Sequence, residues 1–234
     1  MKLIIIAGPP SAGKTAVTRQ IIRTHPELKT AYLKIDVVCA TEDEEIRDEF
    51  HIPAKKVYSG DLCPDHAGIM ILDEAIEWAM KEGADMLIVE SAGLCLRCTP
   101  YTTQSFGIVV LSAISGIQSP AKMAPMIALA DIAVVTRIDL VSQAEKEVFR
   151  EKIRGIRGDI DIVETNAVQG TGMRYLTRAI EEAPDIQDQS TITLRGIPPL
   201  GVCTVCIGKT NIGWKHHTGV LRQLDGDALM FRGD

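Results

Sequence analysis

An apolar run, Leu3–Ala7, leads directly into a glycine-rich loop with the sequence Gly-Pro-Pro-Ser-Ala-Gly-Lys-Thr, residues 8–15. The loop matches G-x-x-x-x-G-K-[ST] at every fixed position and lies between a predicted strand and a helix predicted over Lys14–Thr24. Its glycines let successive backbone N–H groups point at phosphate oxygens, and the helix N-terminus adds a positive dipole. The pattern places Lys14 on the β- and γ-phosphates and the Thr15 hydroxyl on Mg²⁺. These residues therefore predict a nucleotide-binding unit of strand, phosphate-binding loop and helix.

Length and composition limit the classes of protein to which this chain can belong. Its 234 residues suffice for one large α/β domain, or one domain with a small appendage. The net charge of −6 argues against a nucleic-acid partner, whose backbone requires a basic surface. No apolar run approaches the roughly 20 residues that cross a bilayer, and the run before the loop is too short for a signal peptide. We therefore expect a cytoplasmic protein without a membrane partner, in which six cysteines serve as metal ligands or redox groups rather than disulfides.

Strand and helix patterns alternate along most of the chain. Five further strands are predicted over Ala31–Ile35, Met86–Val89, Phe106–Ala113, Ile132–Thr136 and Asp161–Thr165. Four further helices are predicted over Glu42–Glu49, Asp65–Lys81, Gln143–Ile153 and Met173–Glu182. This alternation predicts an α/β fold of the P-loop NTPase type, with a doubly wound, mostly parallel sheet over residues 1–184. Residues 185–234 are predicted to form a small C-terminal module that contains a strand at Thr191–Leu194 and a short β-hairpin.

The loops between these elements carry polar motifs in a fixed order. They are Asp36 after the second strand, Cys63-Pro64-Asp65-His66 before the long helix, Glu90-Ser91-Ala92-Gly93, Thr136-Arg137-Ile138-Asp139 and Thr165-Asn166-Ala167. In type, order and loop position the motifs resemble the metallochaperone GTPases that serve nickel enzymes, members of the SIMIBI class. These are the hydrogenase nickel-incorporation protein and the urease accessory GTPase. The resemblance covers residues 2–183.

The resemblance implies roles for most of these residues. It implies that Asp36 approaches Mg²⁺ together with Thr15, that Glu90 is the switch II acid, and that the Gly93 N–H senses the γ-phosphate. Lys14, Asp36 and Glu90 are then the candidate catalytic residues. The nucleotide contacts that it implies come from Gly8, Ser11, Ala12, Gly13, Lys14, Thr15, Ala16, Gly93, Thr136, Arg137, Asp139, Asn166 and Ala167.

Base recognition depends on the motif after the fifth predicted strand. Thr136-Arg137-Ile138-Asp139 occupies the place of the family's Asn-Lys-x-Asp. The Asp139 carboxylate would accept hydrogens from guanine N1 and N2, which favours guanine over adenine. Thr136 lacks the amide of the usual Asn, whereas Arg137 can still extend over the base. We expect GTP and GDP as the nucleotides, and ATP stays open.

The cysteine spacing predicts metal binding. Cys63 lies three residues before His66, and thiolates and imidazoles at such spacing suit Zn²⁺, Ni²⁺ or an Fe–S cluster. The site for a transferred metal, shared across a two-fold dimer, is expected to consist of Cys63, His66, Cys95 and Cys98. Cys203 and Cys206 form a second C-x-x-C pair, which suits a second metal site, a redox dithiol, or one four-cysteine zinc or Fe–S site with the first pair. The plain alternative is a set of buried cysteines with His66 as a helix cap.

Three functions are compatible with these residues. The leading hypothesis is a slow GTPase that forms a homodimer and delivers or gates a metal, nickel or zinc, for a client metalloenzyme or its maturation proteins. The second is a nucleotide-dependent partner of an Fe–S or corrinoid protein, carrying its own cysteine-bound cluster. The third is a small-molecule kinase, which the switch motifs disfavour. The remaining histidines His25 and His51 are expected at the surface.

Overall fold

The fold was determined as a computed structural model, which describes residues 1–37, 40–60, 62–93, 100–196, 209–217, 219–222, 224 and 229–232. The strands of the described residues are β1 Lys2–Ala7, β2 Thr30–Asp36, β3 Ala54–Tyr58, β4 Met86–Glu90, β5 Phe106–Ser112, β6 Ile132–Thr136, β7 Asp161–Thr165, β8 Gly219–Arg222 and β9 Leu229–Arg232. Their α-helices are α1 Lys14–Thr24, α2 Glu42–Phe50, α3 Pro64–Lys81, α4 Ser119–Lys122, α5 Ala124–Leu129, α6 Gln143–Arg154 and α7 Arg174–Glu182.

Seven strands form one sheet in the order β3-β2-β4-β1-β5-β6-β7, and every neighbouring pair is parallel. This confirms the predicted α/β fold with a doubly wound sheet. The edge strand β3 was not predicted from the sequence. Its sequence Ala-Lys-Lys-Val-Tyr has no apolar run, because only Val57 of the five residues is buried. An edge strand needs fewer apolar residues than a central one, since it is covered less completely.

The sheet separates two hydrophobic cores. Along β1, Leu3, Ile5 and Ala7 face a core that includes α3, α5 and α6. Ile4 and Ile6 alternate with them and face a core with α1, α2 and α7. Because the strand is buried on both faces, its sequence is continuously apolar rather than alternating. Each fully buried isoleucine side chain contributes about 1.5–3 kcal/mol to folding.

The strand order places the carboxyl end of β1 at the centre of the sheet. The chain leaves β1 toward β2 on one side, and it leaves the neighbouring strand β5 toward β6 on the other side. Connections that diverge in this way open a crevice at the carboxyl ends of the two strands, where ligands bind in open α/β sheets. The glycine-rich loop follows β1 at this position.

The C-terminal residues pack against the face of the sheet that carries α3. The strand predicted at Thr191–Leu194 is instead a 3₁₀ turn, Gln189–Thr191, followed by two isolated bridges in which Thr193 pairs with Asn211 and Leu194 with Thr102. Leu194 and Ile212 are buried in the same core as α3. Farther along, β8 and β9 pair as antiparallel strands. The division of the chain between residues 184 and 185 stays a prediction.

Among the described residues, no helix combines the length and the apolar character that a bilayer span requires.

Candidate nucleotide and metal site

The phosphate-binding loop has a backbone that requires glycine at two positions. Gly8 has φ +149° and Gly13 has φ +93°, while Ser11 between them is left-handed at φ +60°. A Cβ on Gly8 would lie 2.2 Å from the Val110 carbonyl oxygen, so the loop is pressed against the end of β5. Helix α1 begins at Lys14, as predicted. The loop therefore runs directly into a helix N-terminus, an arrangement that favours an anionic ligand.

Lys14 connects this loop to the turn after β4. Its Nζ donates to the carbonyl oxygens of Gly8 at 3.0 Å, Pro9 at 3.1 Å and Ala92 at 3.5 Å. Burial of the ammonium lowers the pKa of Lys14 to about 8, although the carboxylates of Glu90 and Asp36 act in the opposite direction. In the described structure the Lys14 ammonium donates to these neutral carbonyls, and a buried cation in such surroundings favours the binding of an anion such as a phosphate.

Gly93 brings the turn after β4 into backbone contact with the loop. Its φ is +76°, and a Cβ would lie 1.7 Å from the Gly8 carbonyl oxygen and 3.0 Å from Lys14 Nζ. No other residue type fits this position without moving the two backbones apart. The structure thus brings Gly8, Lys14 and Gly93 into mutual contact, and their roles toward a nucleotide stay predictions.

Glu90 lies at the centre of a buried hydrogen-bond network. The residue is fully buried. Its Oε1 accepts from Thr15 Oγ1 at 2.8 Å and from Lys34 Nζ at 2.8 Å, and its Oε2 accepts from the hydroxyls of Thr18 at 3.1 Å and Tyr32 at 3.0 Å. Four donors compensate the carboxylate for the loss of water. Burial and the adjacent Glu90 charge raise the pKa of Tyr32 well above its usual value, so its hydroxyl remains a donor.

Lys34 stands opposite Glu90 in the register of β2 and β4. Its Nζ lies 3.5 Å from Glu42 Oε1 and 3.9 Å from Asp36 Oδ2, in addition to its bond to Glu90. Burial disfavours the ammonium, but the three carboxylates outweigh it and the pKa of Lys34 is raised. Sequence reasoning missed Lys34, Tyr32 and Thr18. The available signal was a lysine inside an otherwise apolar strand, since a buried lysine is almost always paired.

The loop after β6 supports the phosphate-binding loop from the side. Thr136 is buried, and its hydroxyl donates to the Ala12 carbonyl oxygen at 2.7 Å. Arg137 has φ +56°, and its Nη1 donates to the Ser11 carbonyl oxygen at 2.6 Å. Asp139 follows in a 3₁₀ turn, Ile138–Leu140, and is exposed.

The loop after β7 lies beside helix α1. The Asn166 Oδ1 accepts from the backbone N–H groups of Val168 and Gln169, both at 3.2 Å, and so shapes the turn. Ala167 is buried, and Ala16 of α1 packs against the same core. The Gln20 side chain donates to the Val168 carbonyl oxygen at 3.5 Å, which connects this turn to α1. The residues that are predicted to lie near the base thus follow the neighbouring strands β6 and β7.

Part of the predicted metal site lies at the N-terminus of α3. Cys63 is the N-cap residue, and His66 is buried in the first turn of the helix. The His66 ring meets the ring of His217 from the C-terminal segment, a contact that the sequence did not predict. The other predicted ligands, Cys95, Cys98, Cys203 and Cys206, lie outside the described residues. Within the described ranges, no group of three or more His, Cys, Asp or Glu side chains is arranged to hold a metal ion.

A small cavity connects the turn after β4 with α3. Ser91 and Pro100, which flank residues 92–99, line this cavity together with Pro64, Asp65 and Gly68. Gly93 thus contacts the phosphate-binding loop, and Pro100, seven residues later in the sequence, lies beside the first turn of α3.

One histidine prediction was wrong. His25 is buried, with its Nδ1 2.7 Å from the Ile21 carbonyl oxygen and its Nε2 3.4 Å from that of Thr177. It closes the end of α1 against α7, where both ring nitrogens meet backbone carbonyls. His51 is exposed, as expected.

Comparison with known proteins agrees with this geometry. Residues 2–164 match the family model described as "CobW/HypB/UreG, nucleotide-binding domain". An uncharacterised protein of Methanocaldococcus jannaschii is 42% identical over 229 residues, which cover 97% of each chain. The urease accessory protein UreG of Haloquadratum walsbyi is 29% identical over 198 residues, which cover 76% of this chain and 93% of that protein.

Two solved structures share the fold. The hydrogenase maturation factor HypB of Archaeoglobus fulgidus aligns with a TM-score of 0.62 and 21% identity, covering 77% of this chain and 89% of that one. HypB of Helicobacter pylori in complex with nickel aligns with a TM-score of 0.63 and 17% identity, covering 78% and 86%. At these identities the alignments support the fold alone.

Proposed function

This chain belongs to the CobW/HypB/UreG family. From that premise we propose that it is a GTP-hydrolysing switch that inserts or gates a metal, with nickel as the first candidate, for a client metalloenzyme or its maturation proteins. One observation carries the proposal. The turn that touches the phosphate-binding loop at Gly93 is joined by six residues to Pro100, which lines a cavity with the first turn of α3. That turn of α3 carries His66 and follows Cys63. A change in the position of Gly93 on binding of a third phosphate can therefore alter the positions of metal ligands that lie only a few residues away along the chain.

The phosphate side of the mechanism follows from the network around Glu90. In this proposal, Lys14 stabilises the negative charge that develops on the transferred phosphoryl oxygens. The Thr15 hydroxyl and the Asp36 carboxylate are the residues that would hold Mg²⁺, which neutralises charge on the β- and γ-phosphates when it is bound. The donor set fits such an ion, because Thr15, Glu90 and Asp36 supply hard oxygen atoms around a single charge cluster. The Gly93 N–H is then the group that senses the γ-phosphate.

Guanine recognition is proposed for Asp139, with Arg137 along the base. Arg137 is fixed to the loop through the Ser11 carbonyl oxygen. Asp139 remains exposed at the end of β6, where its carboxylate can accept two hydrogens from a guanine edge. Adenine offers no such pair of hydrogens, and an unmatched polar contact costs about 1–3 kcal/mol. We therefore expect GTP to bind at least about tenfold more tightly than ATP.

The metal side of the proposal uses Cys63, His66, Cys95 and Cys98 as ligands to the transferred ion. Ordering of residues 91–93 by a triphosphate would reposition the two cysteines that follow, and hydrolysis would release them. A ligand shifts such an equilibrium only if it binds the two states with different affinity. The proposal therefore requires that the metal affinity differ between the diphosphate and triphosphate states. It also includes a homodimer that shares the site across its two-fold axis.

The deciding experiment measures nucleotide and metal binding in one preparation. The affinity and stoichiometry of Ni²⁺ and Zn²⁺ are determined by chelator competition with GDP and with a non-hydrolysable GTP analogue, and the mass of each state is measured by light scattering. We expect a metal affinity that changes severalfold between the two nucleotides and is lost in Cys63→Ser. Equal metal affinities in both states would refute the switch. A brown anaerobic preparation with absorbance near 400 nm would favour a resident Fe–S cluster instead.

The variant Asp139→Asn tests base recognition separately. An amide in place of the carboxylate donates to the C2 oxygen of xanthine but cannot accept both guanine hydrogens. We expect GTP affinity to fall by about 10- to 100-fold and xanthosine triphosphate affinity to rise. An unchanged preference for GTP would exclude Asp139 as the base-reading residue, whatever the metal experiment gives.

A further inference from the structure

The C-terminal segment is attached to α3 by backbone contacts at defined positions. The Gly213 N–H donates to the Ile69 carbonyl oxygen at 2.9 Å, and the Gln189 side chain donates to the Asp73 carbonyl oxygen at 3.0 Å. Gly213 has φ +89°, and a Cβ there would lie 2.1 Å from an Asp73 carboxylate oxygen. A side chain at this position would displace the Asp73 carboxylate, and the positive φ itself favours glycine. The 3₁₀ turn Trp214–His216 follows, so the position of the next residue, His217, is determined by these anchors.

One ring nitrogen of His217 makes a hydrogen bond in the described structure and the other does not. Its side chain is only 3% exposed. Its Nε2 lies 2.6 Å from the Asn211 carbonyl oxygen, and because a carbonyl can only accept, Nε2 carries the hydrogen. Nδ1 is then a buried lone pair, and it has no hydrogen-bond partner in the described part of the chain. A buried acceptor without a donor is unfavourable, so this arrangement requires an explanation.

The hydrogen bond from His217 to Asn211 is the arrangement found around metal-bound imidazoles. A ligating histidine almost always donates its other ring N–H to a carboxylate or a backbone carbonyl, which fixes the tautomer and aims the lone pair.

The neighbouring imidazole is at a suitable distance. The rings of His66 and His217 have centroids 5.2 Å apart and planes at 80°. A metal–nitrogen bond of about 2.1 Å places each imidazole centroid about 3.2 Å from the ion, so two imidazoles at a tetrahedral angle have centroids about 5.2 Å apart. Edge-to-face packing of two rings covers the same range of distances. The distance alone does not distinguish the two arrangements, whereas a buried Nδ1 without a donor favours a bound ion.

We propose that His217 is a ligand, through Nδ1, to a divalent transition metal that His66 also binds, so that α3 and the C-terminal segment hold one ion between them. The inference rests on the proposed function, because it deepens the metal site at the N-terminus of α3. It adds a ligand from a part of the chain that lies beyond the family match, which ends at residue 164. Imidazole ligands suit Zn²⁺ and Ni²⁺ equally, so both ions serve as probes.

The test compares four variants of the full chain: His217→Ala, His217→Phe, His66→Ala and the control His216→Ala. Phe keeps an aromatic ring against His66 but has no nitrogen to offer. His216 is adjacent, exposed and on the same segment. Each protein is freed of metal and titrated with Zn²⁺, then with Ni²⁺, against a chromogenic chelator. The melting temperature is recorded with and without Zn²⁺, since an ion bound only to the folded state raises it.

We expect both His217 variants and His66→Ala to weaken the tightest site by at least about tenfold and to abolish the stabilisation by Zn²⁺. His216→Ala is expected to behave like the unmodified protein. Co²⁺ loaded in place of Zn²⁺ should show a visible absorption spectrum of the bound ion, and this spectrum should change in His217→Phe but not in His216→Ala.

Three results would overturn the inference. If His217→Phe binds metal as tightly as the unmodified protein, the contact with His66 is aromatic packing. If Cys63→Ser loses the metal and neither His217 variant does, the proposed metal switch stands without His217. Failure of the unmodified protein to bind either ion would remove both proposals together.

Discussion

The pair formed by Lys34 and Glu90 allows a quantitative test of the site. Replacing Glu90 with Gln preserves the side-chain shape, because the amide can still accept from Thr15 and Lys34 and can donate to the hydroxyls opposite. It removes the charge that lies 2.8 Å from a side chain that is only 5% exposed. Removing one partner of a buried ion pair costs about 3–5 kcal/mol. Since Glu42 and Asp36 remain within 4 Å of Lys34, we expect about 3 kcal/mol.

The reverse substitution, Lys34→Met, leaves the Glu90 carboxylate buried with three hydroxyl donors, and we expect it to cost a similar amount. The double variant Lys34→Met/Glu90→Gln carries neither charge, and replacing a whole buried pair is often close to neutral. Independent effects would add to about 6 kcal/mol. We expect the double variant to lose less than about 4 kcal/mol, a coupling of at least about 2 kcal/mol.

The assay is equilibrium urea unfolding at pH 7 without nucleotide, followed by tryptophan fluorescence, with equal m-values required across the series. Arg19→Met is the matched control. Arg19 also pairs with two carboxylates, those of Glu45 and Glu49, but all three side chains are between 27% and 51% exposed. We expect that variant to lose no more than about 1 kcal/mol. Single-variant costs that add to the double-variant cost within about 0.5 kcal/mol would show that the pair is not coupled in the folded protein.

Two further predictions concern the phosphate-binding loop itself. Because Lys14 of the free protein has a pKa of about 8, and bound phosphates would keep it charged, triphosphate binding should take up one proton above pH 8. The Kd should then rise about tenfold per pH unit. Calorimetry in buffers of different ionisation enthalpy measures the proton uptake, and Lys14→Arg, which cannot lose its charge, should show none. For the backbone contact, Gly93→Ala should abolish nucleotide binding and destabilise the fold by more than Gly83→Ala. Gly83 also has positive φ, but no heavy atom lies within 4 Å of a Cβ added there. We therefore expect Gly83→Ala to lower the free energy of unfolding by about 1–3 kcal/mol, through backbone strain alone. Equal losses of stability and retained binding in both variants would show that the contact with Gly8 is unimportant.

The positions of the site residues were predictable because they follow from strand order. In a parallel sheet every strand ends at the same edge, so polar residues that close apolar runs converge there. This is why Glu90, Gly93 and Thr136 lie beside the phosphate-binding loop. The same reasoning failed for β3, whose lysines conceal a strand at the sheet edge, and for His25, whose buried ring lies against backbone carbonyls of α1 and α7. Neither the strand β3 nor the burial of His25 leaves a pattern in the local sequence, because each depends on which distant parts of the chain pack against it.

The pairing of buried charges was beyond sequence reasoning for a different reason. Lys34 meets Glu90 because β2 pairs with β4, and the register of that pair is determined by both hydrophobic cores at once. A shift of one residue would turn Lys34 from the carboxylate to the opposite face of the sheet, where it would be buried against apolar side chains. The Lys34–Glu90 pair therefore favours the observed register of β2 and β4, because a shifted register would leave a buried ammonium without a carboxylate partner. The ion pair that we expect to be coupled in the folded state therefore also fixes the position of the Glu90 carboxylate, at the end of β4, relative to the Thr15 hydroxyl.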